Sequence, residues 1–413
     1  MVRKVLLLTC VGLLLGCASH RAQLGHEGSS LSELALAVKL APSDVDARVR
    51  LGAALARAGQ YRLALAQFDS ALSLMPNYPW ALYEKGQTLR VLGFAEEGKR
   101  LIRRAADSPQ GAEVLARLGR ELGRPFHIEQ LTSGRYDHAF PSWFPDGRRI
   151  ALQTNRTGNW ELFVFDLASR SLTQLTDHPA RDEAPCVSPD GRLLAFTSTR
   201  DSEPARDPRH QQREIYLLDV PSTQVRQLTR THADDFHPVF SPNGARLFYV
   251  SAPPDDSGTR SVMFMSLDDP TPKPLTQPGE DCFAPAVSAD GAFLLFVKEH
   301  QGRSLLCEMD LRTKRVRVVT DTLGVKAAPS FSPDGATIAF AAKDGGKYDL
   351  YLIGRDGSNL QQLTNDQAID GHPHFSPDGK RLVFHSNRTG TFQLYLVELT
   401  RPPSVEELQD FFE

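Results

Sequence analysis

Two copies of the string Asp-x-His-Pro are the residues of this sequence best suited to chemistry. One copy starts at Asp235 and the other at Asp370, and a further histidine follows the second copy. Imidazole and carboxylate side chains coordinate divalent metals, and they also hydrogen-bond polar ligands. The strings and this histidine supply the candidate residues Asp235, His237, Asp370, His372 and His374, and Asp182, which stands at the matching position before Pro185, is added to them. Three interpretations stay open: capping of loops, binding of a polar ligand or partner peptide, and a catalytic metal.

Cys17 is a second candidate for chemistry, because it ends a segment with the features of an export signal. Two basic residues precede an apolar run over 5–15, which is too short for a lasting transmembrane helix. The run ends in Leu-Leu-Gly-Cys, which resembles the bacterial lipobox, whose cysteine is diacylated. We therefore predict a lipoprotein signal peptide over 1–17, lipidated at Cys17, and a flexible tether over 18–29. By resemblance to the sorting rule of enterobacterial lipoproteins, Ala18 in place of an aspartate favours the outer membrane, and a plain secretory signal cleaved elsewhere is the alternative.

A repeated phrase shows which elements position the two strings. It consists of a proline, two residues, a Ser-Pro-Asp-Gly-like turn and an apolar strand. The turn carries its acid or amide at Asp146, Asp190, Asn243, Asp290, Asp334 and Asp378. The copies are 44 to 53 residues apart, which is typical of a β-propeller with several strands per blade. These six side chains are expected to form turns rather than to act as catalytic acids.

The repeat predicts where the candidate residues lie. In a propeller of six blades, the strings of blades 3 and 6 face each other at one mouth of the axial channel. We expect the opposite walls to be too distant for one ion to bridge them. A Leu-Thr strand closes each repeat, and one such strand, 128–132, precedes blade 1 while none follows blade 6. This early strand is therefore predicted to complete blade 6 and to close the ring.

The segment 30–123 has a helical pattern that resembles tetratricopeptide repeats. Small, aromatic and terminating residues have the spacing of one such repeat at Gly52, Gly59, Tyr61, Ala64, Phe68, Ala71 and Pro76. A second, degenerate repeat follows 34 residues later, with Gly86, Leu89 and Gly93. The first helix of each repeat lines a groove in this family, which corresponds here to Val49, Arg57, Trp80, Tyr83, Gln87 and Arg90. These residues either bind a partner peptide or form an internal docking face.

The propeller repeats resemble those of TolB, the periplasmic component of the Tol–Pal system. The likeness covers 127–402 and is strongest in the strings TNRTG at 154–158 and SNRTG at 386–390. It implies a six-bladed propeller and partners among outer-membrane or peptidoglycan-associated lipoproteins. TolB has a mixed α/β N-terminal domain and is soluble, whereas this chain has repeat-like helices and a predicted lipid anchor. The fold class is therefore multidomain, a short α-helical solenoid followed by an all-β propeller, with an additional tail over 403–413.

The sequence favours a binding protein over an enzyme. Net charge is −3 with mixed signs, which gives no concentrated basic face for nucleic acid. The hydrolases that carry a similar propeller need a Gly-x-Ser-x-Gly elbow, and this sequence contains none. We therefore predict a non-enzymatic scaffold without cofactor, lipid-anchored on the periplasmic side of the outer membrane, in an envelope or motility complex. The alternative is a sugar-binding protein or metal-dependent propeller enzyme that uses the histidines at the channel mouth.

Overall fold

The structure, a computed structural model, describes residues 30–413 apart from 123, 201–211, 254–258 and 345. Cys17 and the predicted signal peptide and tether lie outside the described residues. The chain divides into two compact units, a helical unit up to Leu118 that also includes Ser404–Glu413, and a propeller unit over Gly119–Pro403. In the described part of the chain, no helix has the length and apolar character needed to cross a membrane.

Between residue 30 and the propeller the structure describes six helices, α1 Leu31–Leu40, α2 Val45–Arg57, α3 Tyr61–Leu74, α4 Pro79–Val91, α5 Ala95–Ala106 and α6 Gly111–Glu121. A 3-10 turn over Glu406–Leu408 and a short helix, α7 Gln409–Phe412, form the C-terminal segment. The pairs α2/α3 and α4/α5 are consistent with the two predicted repeats. The segment 403–413, which the sequence left unassigned, therefore belongs with the helices rather than with a blade.

Glycine at two positions allows the paired helices to approach each other. A Cβ atom on Gly52 would lie 2.5 Å from the ring of Phe68, and one on Gly86 would lie 2.7 Å from the carbonyl oxygen of Gly98. Phe68 is fully buried in the gap between α2 and α3. The small residues of the repeat pattern thus serve close packing, as the spacing predicted.

The described residues of the propeller form 24 strands, which run β1 His127–Gln130, β2 His138–Trp143, β3 Arg149–Thr154, β4 Glu161–Asp166, β5 Ser171–Gln174, β6 Asp182–Val187, β7 Leu193–Ser198, β8 Glu214–Asp219, β9 Gln224–Gln227, β10 Asp234–Phe240, β11 Arg246–Ala252, β12 Ser261–Ser266, β13 Lys273–Pro274, β14 Asp281–Val287, β15 Phe293–His300, β16 Arg303–Asp310, β17 Val316–Thr320, β18 Lys326–Phe331, β19 Thr337–Asp344, β20 Lys347–Gly354, β21 Gln361–Gln362, β22 Asp370–Phe375, β23 Arg381–Ser386 and β24 Gln393–Glu398. They form six antiparallel sheets of four strands each. Blades 1 to 5 follow chain order from β2 to β21, and the six-bladed prediction is confirmed.

Blade 6 takes its outer strand from the start of the propeller, as predicted. Its order is β1-β24-β23-β22, and His127 to Gln130 pair antiparallel with Glu398 to Tyr395. The backbone N–H of Leu131 continues this pairing by donating to the carbonyl oxygen of Leu394 at 2.8 Å. The first and last strands of the ring therefore share one sheet, which removes two open edges.

The threonine of each Leu-Thr pair has a structural role inside the blade. In five blades its hydroxyl oxygen accepts the backbone N–H of the third strand, as Thr176 does from Leu162 at 2.9 Å. In blade 1 the same hydroxyl donates to the carboxylate of Glu161 at 2.6 Å. The turn acids are structural as well, since Asp190 accepts hydrogen bonds from Ser188 and from the N–H of Arg192, which hold its pKa below the usual range.

Candidate functional site: the axial cavity of the propeller

One residue of each inner strand turns toward the propeller axis in a left-handed backbone conformation. These six residues directly precede the repeat prolines and are Phe140, Ala184, His237, Ala284, Ala328 and His372, with φ between 44° and 53°. Left-handed φ is uncommon for residues other than glycine. Its recurrence at one position of all six blades shows that the fold imposes this conformation.

A β-bulge in each inner strand produces this geometry. In blade 3 the pairing of β10 with β11 shifts register between Phe236 and Val239, and blade 6 shifts between Gly371 and His374. The proline that follows lacks an N–H and so gives up no ladder hydrogen bond at the bulge. The bulge turns the side chain of the residue before the proline toward the axis. His237 and His372 therefore lie at the same level of the channel.

These residues line an axial cavity of about 210 Å³. Its walls consist of the six repeat prolines, the left-handed residues and small side chains such as Ser142, Cys186 and Ser330. Alanine stands at the left-handed position in blades 2, 4 and 5, so bulk is concentrated on Phe140, His237 and His372. The cavity is therefore asymmetric, with an aromatic side and a side of methyl groups and prolines.

The aromatic side chains of blades 1, 3 and 6 pack closely around the axis. The rings of His237 and His372 lie 5.5 Å apart between centroids, and Phe140 packs at 3.8 Å from the His372 ring. The side chains of blades 3 and 6 therefore contact each other across the axis. The bulges push both side chains onto the axis, where Phe140 fills the space between them and the wall.

The sequence did not identify two members of this cluster, Phe140 and His385. His385 lies 5.2 Å from the His372 ring, and its Nδ1 accepts the backbone N–H of Phe140 at 3.2 Å. Gln153 accepts the N–H of Ala184 in the equivalent place, at 2.7 Å. The available signal was positional, because Phe140 precedes a repeat proline as His237 and His372 do.

The aspartates of the strings lie inside the blades rather than at the cavity, which corrects their predicted place at the channel mouth. Asp182, Asp235 and Asp370 are fully buried. Asp182 accepts hydrogen bonds from Ser198 at 2.6 Å and from Arg200 at 2.5 Å, and Asp370 is similarly paired with an arginine of its own blade. They stand two residues before the bulge, so their side chains point into the sheet and fasten the loop after the second strand.

Asp235 lacks the arginine that its counterparts have. Pro253 stands where blade 2 has Arg200, and one carboxylate oxygen of Asp235 has no hydrogen-bond partner. Burial, reinforced by the nearby carboxylate of Glu214, raises the pKa of Asp235 to about 7. A carboxyl group buried without a cation favours its neutral form. This aspartate therefore opposes folding whenever it is charged.

We expect Asp235→Asn to stabilise the protein at pH 8, by about 2 kcal/mol, since the amide cannot ionise. The folded pKa of Asp235 lies above its unfolded value, so the native chain loses stability as pH rises from about 4 to 7, the loss is constant at higher pH, and the variant removes it. The matched control is Asp182→Asn, which leaves Arg200 without its carboxylate and should destabilise by about 3 kcal/mol. Chemical denaturation at pH 5 and pH 8 measures both. Equal effects of the two substitutions would contradict this assignment.

The histidines around the axis are uncharged near neutral pH. Burial lowers the pKa values of His237 and His374 to about 4 and those of His372 and His385 well below the ordinary range, and it also lowers the pKa of His138, which lies inside blade 1, to about 4. The Nδ1 atom of His374 accepts the backbone N–H of Trp143 at 3.3 Å, which leaves Nε2 as the N–H side of a neutral ring. The cavity therefore presents neutral imidazoles that act as hydrogen-bonding aromatic rings.

The arrangement fits a polar or aromatic ligand better than a metal ion. Over the residues that the structure describes, no group of three or more His, Cys, Asp or Glu side chains is placed to hold a metal. Phe140 contacts His372, and the Nδ1 atoms of His374 and His385 already accept backbone N–H groups. Cys282 and Cys307 are buried and Cys186 partly so, and burial raises their pKa values to between about 11 and 12, as expected of inert packed thiols.

The residues predicted to line a groove in the helical unit are not one open surface. Val49 is buried in the core between α1, α2 and α3, and Tyr83 is fully buried. The guanidinium of Arg117 on α6 covers the aromatic pair, with its carbon 5.1 Å from the ring centre of Tyr83 and 5.7 Å from that of Trp80. Arg57 alone among the six is exposed. The geometry agrees with an internal docking face for Trp80 and Tyr83.

Of the last two predicted groove residues, Gln87 bonds within α4 and Arg90 contacts the chain's own C-terminal segment. The side-chain amide of Gln87 donates to the Tyr83 hydroxyl at 3.0 Å, and Arg90 donates to Gln87 at 2.7 Å. The guanidinium of Arg90 lies 4.5 Å from the ring centre of Phe411. A short hydrogen-bonded chain thus leads from the core of α4 to the C-terminal segment, which the sequence pattern had not connected with these helices.

Comparison with known families agrees with this architecture. The profile of the TolB beta propeller domain matches residues 126–205, 207–324 and 309–404. A protein TolB homolog of Chlorobium chlorochromatii is 28% identical over 139 residues, covering 26% of this chain and 32% of the relative. The chain spans about a third or less of the length of the curated relatives it matches.

Solved structures show how widely the fold is used. TolB from Acinetobacter baumannii is 25% identical with a TM-score of 0.52, over 60% of this chain and 59% of that one. A gluconolactonase from Xanthomonas campestris has a TM-score of 0.51 over 68% of this chain and 92% of its own, at 14% identity. The second likeness concerns the fold alone. Because binding proteins and enzymes share this propeller, the fold does not decide between them.

Proposed function

Because the chain belongs to the TolB beta propeller domain family, we propose that it is a protein-interaction scaffold of the bacterial cell envelope without catalytic activity of its own. The observation that carries this proposal is the composition of the axial cavity. Its described walls offer neutral imidazoles, prolines and methyl groups, and none of its lining residues is a carboxylate. Such a surface suits the docking of a peptide or a polar side chain, whereas general acid–base catalysis calls for groups tuned near the working pH.

The partners we propose follow from the relatives. A Francisella tularensis relative is a Tol-Pal system protein, 24% identical over 91 residues, which supports an envelope partner of the kind found in that system, such as an outer-membrane or peptidoglycan-associated lipoprotein. The propeller and the helical unit are both architectures that bind other proteins. Lipidation at Cys17 would hold the protein on the periplasmic face of the outer membrane. Several acyl chains give stable anchoring where a single one is marginal.

We expect crosslinking in intact cells, followed by capture of the full chain from membranes, to recover a reproducible envelope protein. The matched control is Cys17→Ser, which keeps the binding units and removes the acylation site, so this variant should leave the membrane fraction on mild washing. Recovery of no envelope protein would contradict the scaffold proposal. Unchanged partitioning of Cys17→Ser into detergent would contradict the lipid anchor. Stoichiometric divalent metal on the purified chain, lost in His237→Ala or His372→Ala, would favour the metal-dependent alternative instead.

A further inference from the structure

The C-terminal segment 404–413 lies on the helical unit as a peptide would lie on a receptor. Leu408 is fully buried and Phe411 is almost so. Phe411 lies under the guanidinium of Arg90, and the guanidinium carbon of Arg103 lies 5.4 Å from the ring centre of Phe412. A cation over an aromatic ring contributes roughly 0.5–2 kcal/mol, depending on desolvation. Three side chains therefore hold the segment of ten residues: Leu408 by burial, Phe412 by its contact with an arginine, and Phe411 by both.

The segment is built as a helix with its own start signal. The hydroxyl of Ser404 accepts the backbone N–H of Glu407 at 3.3 Å, and the carboxylate of Glu407 accepts the N–H of Ser404 at 2.7 Å. This reciprocal pair is a capping box. A helix this short is unstable alone in water, so its order depends on the surface beneath it.

Charge complementarity distinguishes this contact from ordinary packing of a chain end. Helix α5 carries four basic residues, Lys99, Arg100, Arg103 and Arg104, against the two acids Glu96 and Glu97 of its first turn. The segment carries the acids Glu406, Glu407, Asp410 and Glu413. Arg103 is among the groups that lower the pKa of Glu406. Two arginines, Arg90 and Arg103, thus lie over the two phenylalanine rings of an acidic segment.

We propose that this surface, formed by α4 and α5 around Arg90 and Arg103, is a peptide-binding site that the segment 404–413 occupies as a displaceable internal ligand. The external ligand it fits is a partner segment of the same chemistry, an acidic helix that presents Leu-x-x-Phe-Phe. The segment shows the recognition pattern directly, because it is the one sequence seen seated on the site. This inference names a partner class for the proposed scaffold and rests on that function for its biological role, though not for its physical test.

An external peptide can displace the segment, because covalent attachment gives the segment only a finite effective concentration at the site. A short flexible link gives an internal ligand an effective concentration of about 1 mM. A ligand with the same intrinsic affinity must therefore exceed that concentration, unless the internal segment is weakened or the partner makes additional contacts elsewhere. Access to the site is controlled by the strength of the internal contact, and Phe411 and Leu408 set that strength.

The test uses a fluorescent synthetic peptide with the sequence of residues 404–413 and the full chain. We expect the peptide to bind the Leu408→Ala, Phe411→Ala double variant at least about ten-fold more tightly than the wild-type chain, because the internal competitor is released. Adding Arg90→Gln and Arg103→Gln to the double variant should abolish this binding. Arg100→Gln, which removes a charge from the same helix away from the described contacts of the two rings, should leave it intact.

Three results would overturn the inference: equal peptide affinity of the wild type and the double variant, binding that survives loss of both arginines, or Phe411-dependent dimers of the wild type, which would make a second copy the occupant.

Phe412→Ala alone is a milder release variant if the double variant loses helical structure by circular dichroism, and it should bind the peptide more tightly than the wild type. If the peptide does not bind, the scaffold function is not contradicted, because the propeller can still bind an envelope protein. Capture of no envelope protein by a chain that binds the peptide contradicts the scaffold function alone.

Discussion

Deletion of residues 126–132 is expected to abolish cooperative folding of the propeller. These residues contain strand β1, whose four residues pair with the outer edge of β24. They also contain Leu131, which is buried among Trp143 and Leu394, and Thr132, whose hydroxyl joins the N–H of Leu394 to the side chain of Gln393. Each lost hydrogen bond costs about 1 kcal/mol net and loss of a buried leucine side chain about 2–5 kcal/mol. Their sum rivals the roughly 5–15 kcal/mol that stabilises a typical domain.

Thermal unfolding followed by circular dichroism, together with limited proteolysis, measures this effect. The matched control removes the helical unit instead, residues 18–118 with 404–413, and should leave the propeller transition in place because this unit contributes no strand to the six sheets. A graded variant, Thr132→Val, should cost about 1–2 kcal/mol. If the short deletion melts like the intact protein, then closure through β1 does not hold the ring together.

Closure was predictable from the sequence because its signals are local. The threonine of each Leu-Thr pair accepts a backbone N–H from the third strand of its blade. Each blade therefore needs both a third strand and a Leu-Thr strand. The sequence has a Leu-Thr strand before blade 1 and none after blade 6. It therefore predicts that β1 pairs with β24, as it does in the structure. The turn acids were predictable for the same reason, since Asp190 and its counterparts bond to residues two positions away.

Only some residues of the candidate site could be predicted, because the site is formed by contacts between residues of different blades. The pattern identified His237 and His372 but missed Phe140, since blade 1 has His138 where blades 2, 3 and 6 have aspartate, and the string is no longer recognisable. The left-handed bulge that moves these side chains onto the axis is a property of the sheet and has no signature in hydrophobic periodicity. The contact of Phe411 with Arg90 was hidden in the same way, because more than 300 residues separate the partners.

Acidification should destabilise the propeller more than any single side-chain substitution discussed above. The pKa of His138 is about 4 in the folded chain against 6.5 for an ordinary histidine. Between these values the unfolded chain binds a proton that the folded chain does not, so stability is complete above pH 6.5 and falls as pH drops toward 4. The difference corresponds to about 3 kcal/mol for this histidine alone. His237, His374, His372 and His385 shift in the same direction, so we expect a loss of several kcal/mol between pH 6.5 and 4.5.

Denaturant titrations from pH 7.5 to 4.5 should be made in the Asp235→Asn background, because the raised pKa of that carboxyl contributes with the opposite sign. The informative variant is His385→Gln. Glutamine keeps an acceptor for the N–H of Phe140, as Gln153 does for Ala184, and cannot be protonated in this range. It should match the parent at pH 7.5 and lose less stability at pH 4.5. His300→Gln, at an exposed site on β15, is the control and should follow the parent throughout. If all three chains lose stability in parallel, protonation of the axial histidines does not cause the acid sensitivity, and the neutral aromatic character assigned to the cavity would be wrong.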